Sequence, residues 1–187
     1  FENDLAVGVY EGMLEIDSMY TSAWHNLARL YQSTRPLKAL EIYEKLLDRG
    51  GDTWELLVQT ADLYSQLGRF SEAAVKYRRL LELDPSSRAL QRQLAETYGR
   101  AGNSEGAIRI LEKMIEVDDS DVEVIAALAD VYLGKREYEK ALGLYQRLLK
   151  REKDNPQVKL RVGIAYFGHM QTDSTFLPGA KAIFEEV

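Results

Sequence analysis

The chain has 187 residues, 45% of them hydrophobic and 29% charged, which suits one globular domain or a short repeat array with a real core and excludes a disordered segment. Thirty acidic against 24 basic residues leave a net charge of -6 with neither sign gathered into a block, which disfavours nucleic acid as a partner because phosphates demand a basic stripe. Without cysteine there are no disulfides, thiol nucleophiles or thiolate metal sites, and the compartment stays open.

The first residues, FENDLAVGVYEG, lack the basic start and apolar run of a signal peptide, and nowhere does a run of about 18 apolar residues announce a membrane span. Phe1 is not an initiator methionine, so the natural beginning is expected to lie upstream. Ala6, Tyr10, Met13 and Leu14 already fall at helical spacing and predict a second helix of a partial repeat over 1–20. In 21–53, Trp24, Leu27, Leu30 and Tyr31 mark one helix and Ala39 with Tyr43 a second. The pattern returns in 54–87 with Ala61, Tyr64, Ala73, Tyr77 and Leu80, in 88–121 with Ala95, Tyr98, Ala107 and Leu111, and in 122–155 with Ala129, Tyr132, Ala141 and Tyr145. Turn formers divide each unit, as in Leu67-Gly68-Arg69, Ala101-Gly102-Asn103 and Gly134-Lys135-Arg136. In 156–187, Gly163 and Tyr166 repeat the first-helix pair, but Ala180 follows Tyr166 by fourteen residues where the regular interval is nine, or eight in the first unit. An insertion between helices is therefore expected near 168–179, with His169 at its start.

The tyrosines at 31, 64, 98, 132 and 166 are 33, 34, 34 and 34 residues apart, and the alanines at 6, 39, 73, 107 and 141 step identically. Each unit reads as two helices, with small residues where they cross and aromatics filling the spaces beside them. With these residues the chain resembles the tetratricopeptide repeats: Trp24-His25-Asn26-Leu27-Ala28-Arg29-Leu30-Tyr31 matches the family's W-x-x-L-G-x-x-Y with alanine for glycine, and Ala73 through Tyr77 to Pro85 matches its A-x-x-x-F and closing proline. One unit alone has that proline, and Leu57, Gln91, Ile125 and Lys159 stand where Trp24 would recur. The resemblance implies an all-α, right-handed α-solenoid, a superhelix of stacked antiparallel helix pairs.

Nothing in the sequence assembles a catalytic, cofactor or metal site. His25 and His169 are 144 residues apart, and no metalloprotease, nucleophile-elbow, phosphate-loop or calcium-loop motif occurs. The resemblance implies instead a non-enzymatic scaffold or adaptor whose first helices line a concave groove that receives a peptide or protein segment. Helical spacing then places His25 and Arg29, Asp62, Arg92 and Glu96, Asp130 and Leu133, and Leu160, Ile164 and Phe167 on the groove stripe of successive units. Asp62, Glu96 and Asp130 form an expected acidic row interrupted by Arg92 and Arg100, either selecting a basic partner or serving as a solvated face with local pairs such as Arg92 and Glu96. The apolar end at Leu160, Ile164 and Phe167 is expected to meet either a later part of the same chain or a partner's apolar side chains. Chaperone-tail binding by the family's carboxylate clamp is disfavoured, because Val58, Gln59 and Asp62 break the cationic set at its middle. Two rival expectations are a substrate-recruiting array of a larger enzyme and self-association through uncapped ends.

Overall fold

The computed structural model describes residues 2–50 and 53–171, in which the apolar spacing resolves into ten helices and no strand: α1 (Glu2–Ile16), α2 (Thr21–Thr34), α3 (Pro36–Gly50), α4 (Trp54–Gln66), α5 (Phe70–Leu83), α6 (Arg88–Arg100), α7 (Ser104–Val117), α8 (Val122–Gly134), α9 (Tyr138–Arg151) and α10 (Pro156–Met170). Connections of one to four residues leave no room for a crossover, so within each compact unit consecutive helices run antiparallel. The chain divides into two compact units, one through Leu90 and one from Gln91 onward. In the first, α1 packs on α2, α2 on α3, α3 on α4 and α4 on α5; in the second, α7 packs on α8, α8 on α9 and α9 on α10.

The alanines explain how the helices approach. Ala28, Ala39, Ala61, Ala73, Ala107, Ala129 and Ala141 are all fully buried, and a methyl group at each crossing lets two backbones close to packing distance. Tyr43, Tyr77 and Tyr145 fill the adjoining space from the second helices. In the second unit, Ala95, Leu111, Ile125, Leu128, Leu148 and Val162 belong to one continuous core that draws on α6 through α10.

Three of the turns share one solution. Gly68, Gly102 and Arg136 occupy equivalent places and take positive φ of 73, 78 and 62°. The next residue in each case donates its backbone N–H to the tyrosine five positions earlier: Arg69 to Tyr64 at 2.9 Å, Asn103 to Tyr98 at 2.8 Å and Glu137 to Tyr132 at 2.9 Å. This left-handed stop satisfies the last carbonyls of the helix. The first complete unit lacks the left-handed residue altogether: Arg35 has φ -141° and Pro36 begins α3 at once, which accounts for its interval of eight. Thr53, Asn103, Asp121 and Asn155 cap α4, α7, α8 and α10 by accepting a backbone N–H.

At the C-terminal end the structure corrects one expectation. Helix α10 continues through Gly168 and His169 to Met170, so these residues are helical rather than the start of a turn. The close approach that makes this a glycine position is with Tyr138, whose ring lies where a Cβ on Gly168 would have to sit. The rest of the expected insertion, from residue 172, lies outside the described residues.

Candidate functional site

In the first unit, His25 and Arg29 stand one turn apart on α2. His25 Nε2 lies 3.0 Å from Gln59 Oε1 and 3.6 Å from Glu55 Oε1, and its ring meets Tyr43 edge-on at 6.1 Å. On α4, Asp62 accepts the Tyr77 hydroxyl at 2.8 Å. In the second unit, Arg92 pairs with Glu123 and Glu96 lies 3.9 Å from Arg100 within α6. On α8, Asp130 accepts the Tyr145 hydroxyl at 2.5 Å and also pairs with Arg161 of α10. Leu133 is half-buried, while Leu160, Ile164 and Phe167 are 51, 48 and 55% exposed.

These bonds change the meaning of the acidic residues. Asp62 and Asp130 are anchored from within, each holding a buried tyrosine fifteen residues on in the second helix of its own repeat. Burial, followed by the hydrogen bond to Asp130 and that carboxylate's charge, pushes the Tyr145 hydroxyl well above its ordinary value. Glu96 has no such tyrosine, since Leu111 stands at the corresponding place. Of the three, Glu96 alone has an exposed carboxylate not tied to a second helix by a tyrosine. The local pair expected between Arg92 and Glu96 is replaced by the longer reach of Arg92 to α8.

A second set of tyrosine bonds joins neighbouring repeats. Tyr31 donates to Glu11 at 2.6 Å, Tyr64 to Glu44 at 2.6 Å and Tyr132 to Glu112 at 2.7 Å, each across twenty residues, and Gln146 Nε2 donates to Tyr166 at 3.1 Å across the same interval. Burial, then the carboxylate bond, raises Tyr64 and Tyr132 to about 12. Glu44 also receives the buried ammonium of Lys76 at 2.7 Å. The sequence signal for both sets was available, because the acid–tyrosine separations recur at 15 and 20 residues, but a groove-facing helical stripe does not reveal which acids are already engaged.

His169 is buried against Tyr138, with Nε2 3.7 Å from Glu139 Oε1, beside an open cleft of about 550 Å³ whose lining includes Arg136, Tyr138, Glu139 and Gly168. His169 therefore occupies a packed position with a carboxylate close by. Among the described residues no three His, Asp or Glu side chains are grouped to hold a metal ion, and no helix is long and apolar enough to cross a membrane.

Comparison with known proteins bears on the arrangement as a whole. One family profile described as tetratricopeptide repeat matches residues 66–121 and 100–162, and a second with the same description matches 28–88. No curated protein matches the chain in sequence. Among solved structures, a crystal structure of MamA superposes with a TM-score of 0.64 at 19% identity, covering 89% of this chain and 92% of that one. A tetratricopeptide repeat protein from Parabacteroides merdae gives 0.65 at 17% identity, covering 96% and 72%. A thermophilic protein of the same repeat class from Thermus thermophilus gives 0.53 at 21%, covering 88% and 91%. At these identities the likeness establishes the helix-pair fold.

Proposed function

Because this chain belongs to the tetratricopeptide-repeat family, whose arrays serve in general as protein-interaction scaffolds, we propose that it binds an extended or helical segment of another protein along the face carrying Leu133 and the exposed stripe of α10. The observation that carries this reading is the alignment of Leu160, Ile164 and Phe167 at successive turns, each about half exposed on a helix whose other face is buried through Val158, Val162 and Ala165. Three large apolar side chains in register present a preformed surface, so binding orders little of the receptor. Glu96 supplies a charge for a basic residue of the same partner, while Asp62 and Asp130 would have to share a tyrosine-bound carboxylate with any incoming cation. Such an exposed charge contributes at most about 1 kcal/mol, so the apolar anchors dominate.

Affinity capture with the full-length protein tests this reading. Replacing Leu160 and Phe167 together by alanine is expected to deplete the captured partner at least about tenfold with helicity nearly unchanged. Undiminished capture rejects the anchor site, and a loss of helicity assigns the two side chains to internal packing.

A second reading rests on α1. Leu5, Val9 and Ile16 are 67, 61 and 90% exposed at spacings of four and seven, an apolar stripe that supports self-association. Sedimentation over a concentration range checks it, and a strict monomer removes it.

A further inference from the structure

The residue pair that anchors the second and fourth repeats is inverted in the first. Aligned on the helix-crossing alanines Ala28, Ala61 and Ala129, the next position holds Arg29, Asp62 and Asp130, and the tyrosine facing it is Tyr43, Tyr77 and Tyr145. Asp62 and Asp130 accept their tyrosine hydroxyls, but Arg29 offers only donors. The Tyr43 hydroxyl is accordingly buried without a hydrogen-bond partner, on a side chain that is 0% exposed. Burial pushes that hydroxyl up to about 12; the nearby Arg29 charge and the Gln32 side chain, one turn along α2, act in the opposite sense, while the Glu55 charge adds to the rise. Arg29 is exposed and has no carboxylate partner among the described residues. A guanidinium thus stands at the register position where the other repeats place the acceptor, and the phenol left without that acceptor is costly to bury unless one arrives.

We propose that Arg29 and Tyr43 form a receptor for a side-chain carboxylate, an aspartate or glutamate of a bound protein segment, which takes the place that Asp62 and Asp130 fill from within. This rests on the groove reading and adds a specific chemistry to its N-terminal repeat. A guanidinium and a phenol donating to one carboxylate reproduce, from outside, a charge-assisted bond of the kind the chain builds for itself twice. Depth is compatible with entry: Tyr77 and Tyr145 are 4 and 0% exposed, yet each meets an acid whose own side chain lies at the surface. The nearby Glu55 makes its charge felt at Tyr43 but accepts no hydrogen bond from the hydroxyl; its carboxylate engages Gln59 Nε2 at 3.3 Å and stands 3.6 Å from His25. His25 lies edge-on to the Tyr43 ring and Gln59 holds its Nε2, so the wall beside the receptor is fixed. The site differs from a clamp for a terminal carboxylate, which draws cations from three consecutive helices, because both donors here come from one repeat.

The test is a nuclear magnetic resonance titration of the whole chain, following the Arg29 Nε–H and the Tyr43 ring signals. The probes are a capped Ala-Ala-Glu-Ala-Ala peptide, its glutamine counterpart, and the glutamine peptide with a free C-terminus. A saturable shift is expected with the glutamate peptide and at least about a fivefold weaker one with the capped glutamine peptide. Arg29→Asp, which supplies the acceptor internally, is expected to abolish the response while raising the melting temperature. Tyr43→Phe is expected to weaken binding with helicity intact. Equal responses to glutamate and glutamine, a response confined to the free C-terminus, or indifference to both variants overturns the proposal. None of these measurements involves Leu160 or Phe167, so failure here and failure of the apolar anchor site are separately visible.

Discussion

The tyrosines of the second helices look alike in sequence, yet their hydroxyls do different things. Tyr77 and Tyr145 each hold a carboxylate, Tyr43 holds none, and at 111 leucine removes the hydroxyl altogether. Removing a buried donor from a charged acceptor costs more than removing one that bonds nothing. Tyr145→Phe and Tyr77→Phe should therefore each lower stability by about 1 to 2 kcal/mol, whereas Tyr43→Phe should stay within about 0.5 kcal/mol of the parent in urea unfolding. Equal losses at all three positions would show that ring packing, not the hydroxyl, sets the difference. At this scale the sequence was partly legible. Positions of the aromatics followed from the period, but hydrogen bonding depends on what faces them from another helix, and Asp62 and Asp130 read as free surface charge until their partners are located.

Among the elements, helices and their starts are what the periodicity carries best, because apolar positions and capping residues are local signals. The stops are harder. Gly68 and Gly102 announce a left-handed residue by their chemistry, but Arg136 does so only through its register, 34 residues beyond Gly102. An L side chain held at φ 62° carries a strain that glycine would not, partly offset by glycine's greater freedom in the unfolded chain. Arg136→Gly is thus expected to stabilise the protein by about 0.5 to 1 kcal/mol, read from the denaturation midpoint at unchanged slope. A destabilised variant would mean that contacts of the arginine side chain on the cleft beside His169 outweigh the strain. The continuation of α10 past Tyr166 was not legible: the long interval to Ala180 placed the insertion from 168, whereas Gly168 is helical and answers to the Tyr138 ring of another helix.

Across the whole molecule, the family and its helix pairs were evident from the 34-residue period, while the site was legible as a face but not as a pattern of occupied and vacant partners. The long interval between Tyr166 and Ala180 is a matter of sequence, and its structure lies beyond the described residues. What the tyrosine bonds contribute at this scale is reach. Each spans either one repeat or the step to the next, so no bond in the set depends on a repeat farther away. Length then becomes a quantised variable. Excising 122–155 would bring Tyr166 to twenty residues from Glu112 and set Asp121, now the cap of α8, directly before Pro156 at the first turn of α10. A chain shortened by that cassette should keep a cooperative helical transition, while one shortened by half as much should lose it, as circular dichroism melts would report. The polypeptide would tolerate editing in whole repeats and in no other unit, because the spacing of its own adhesive groups acts as the ruler.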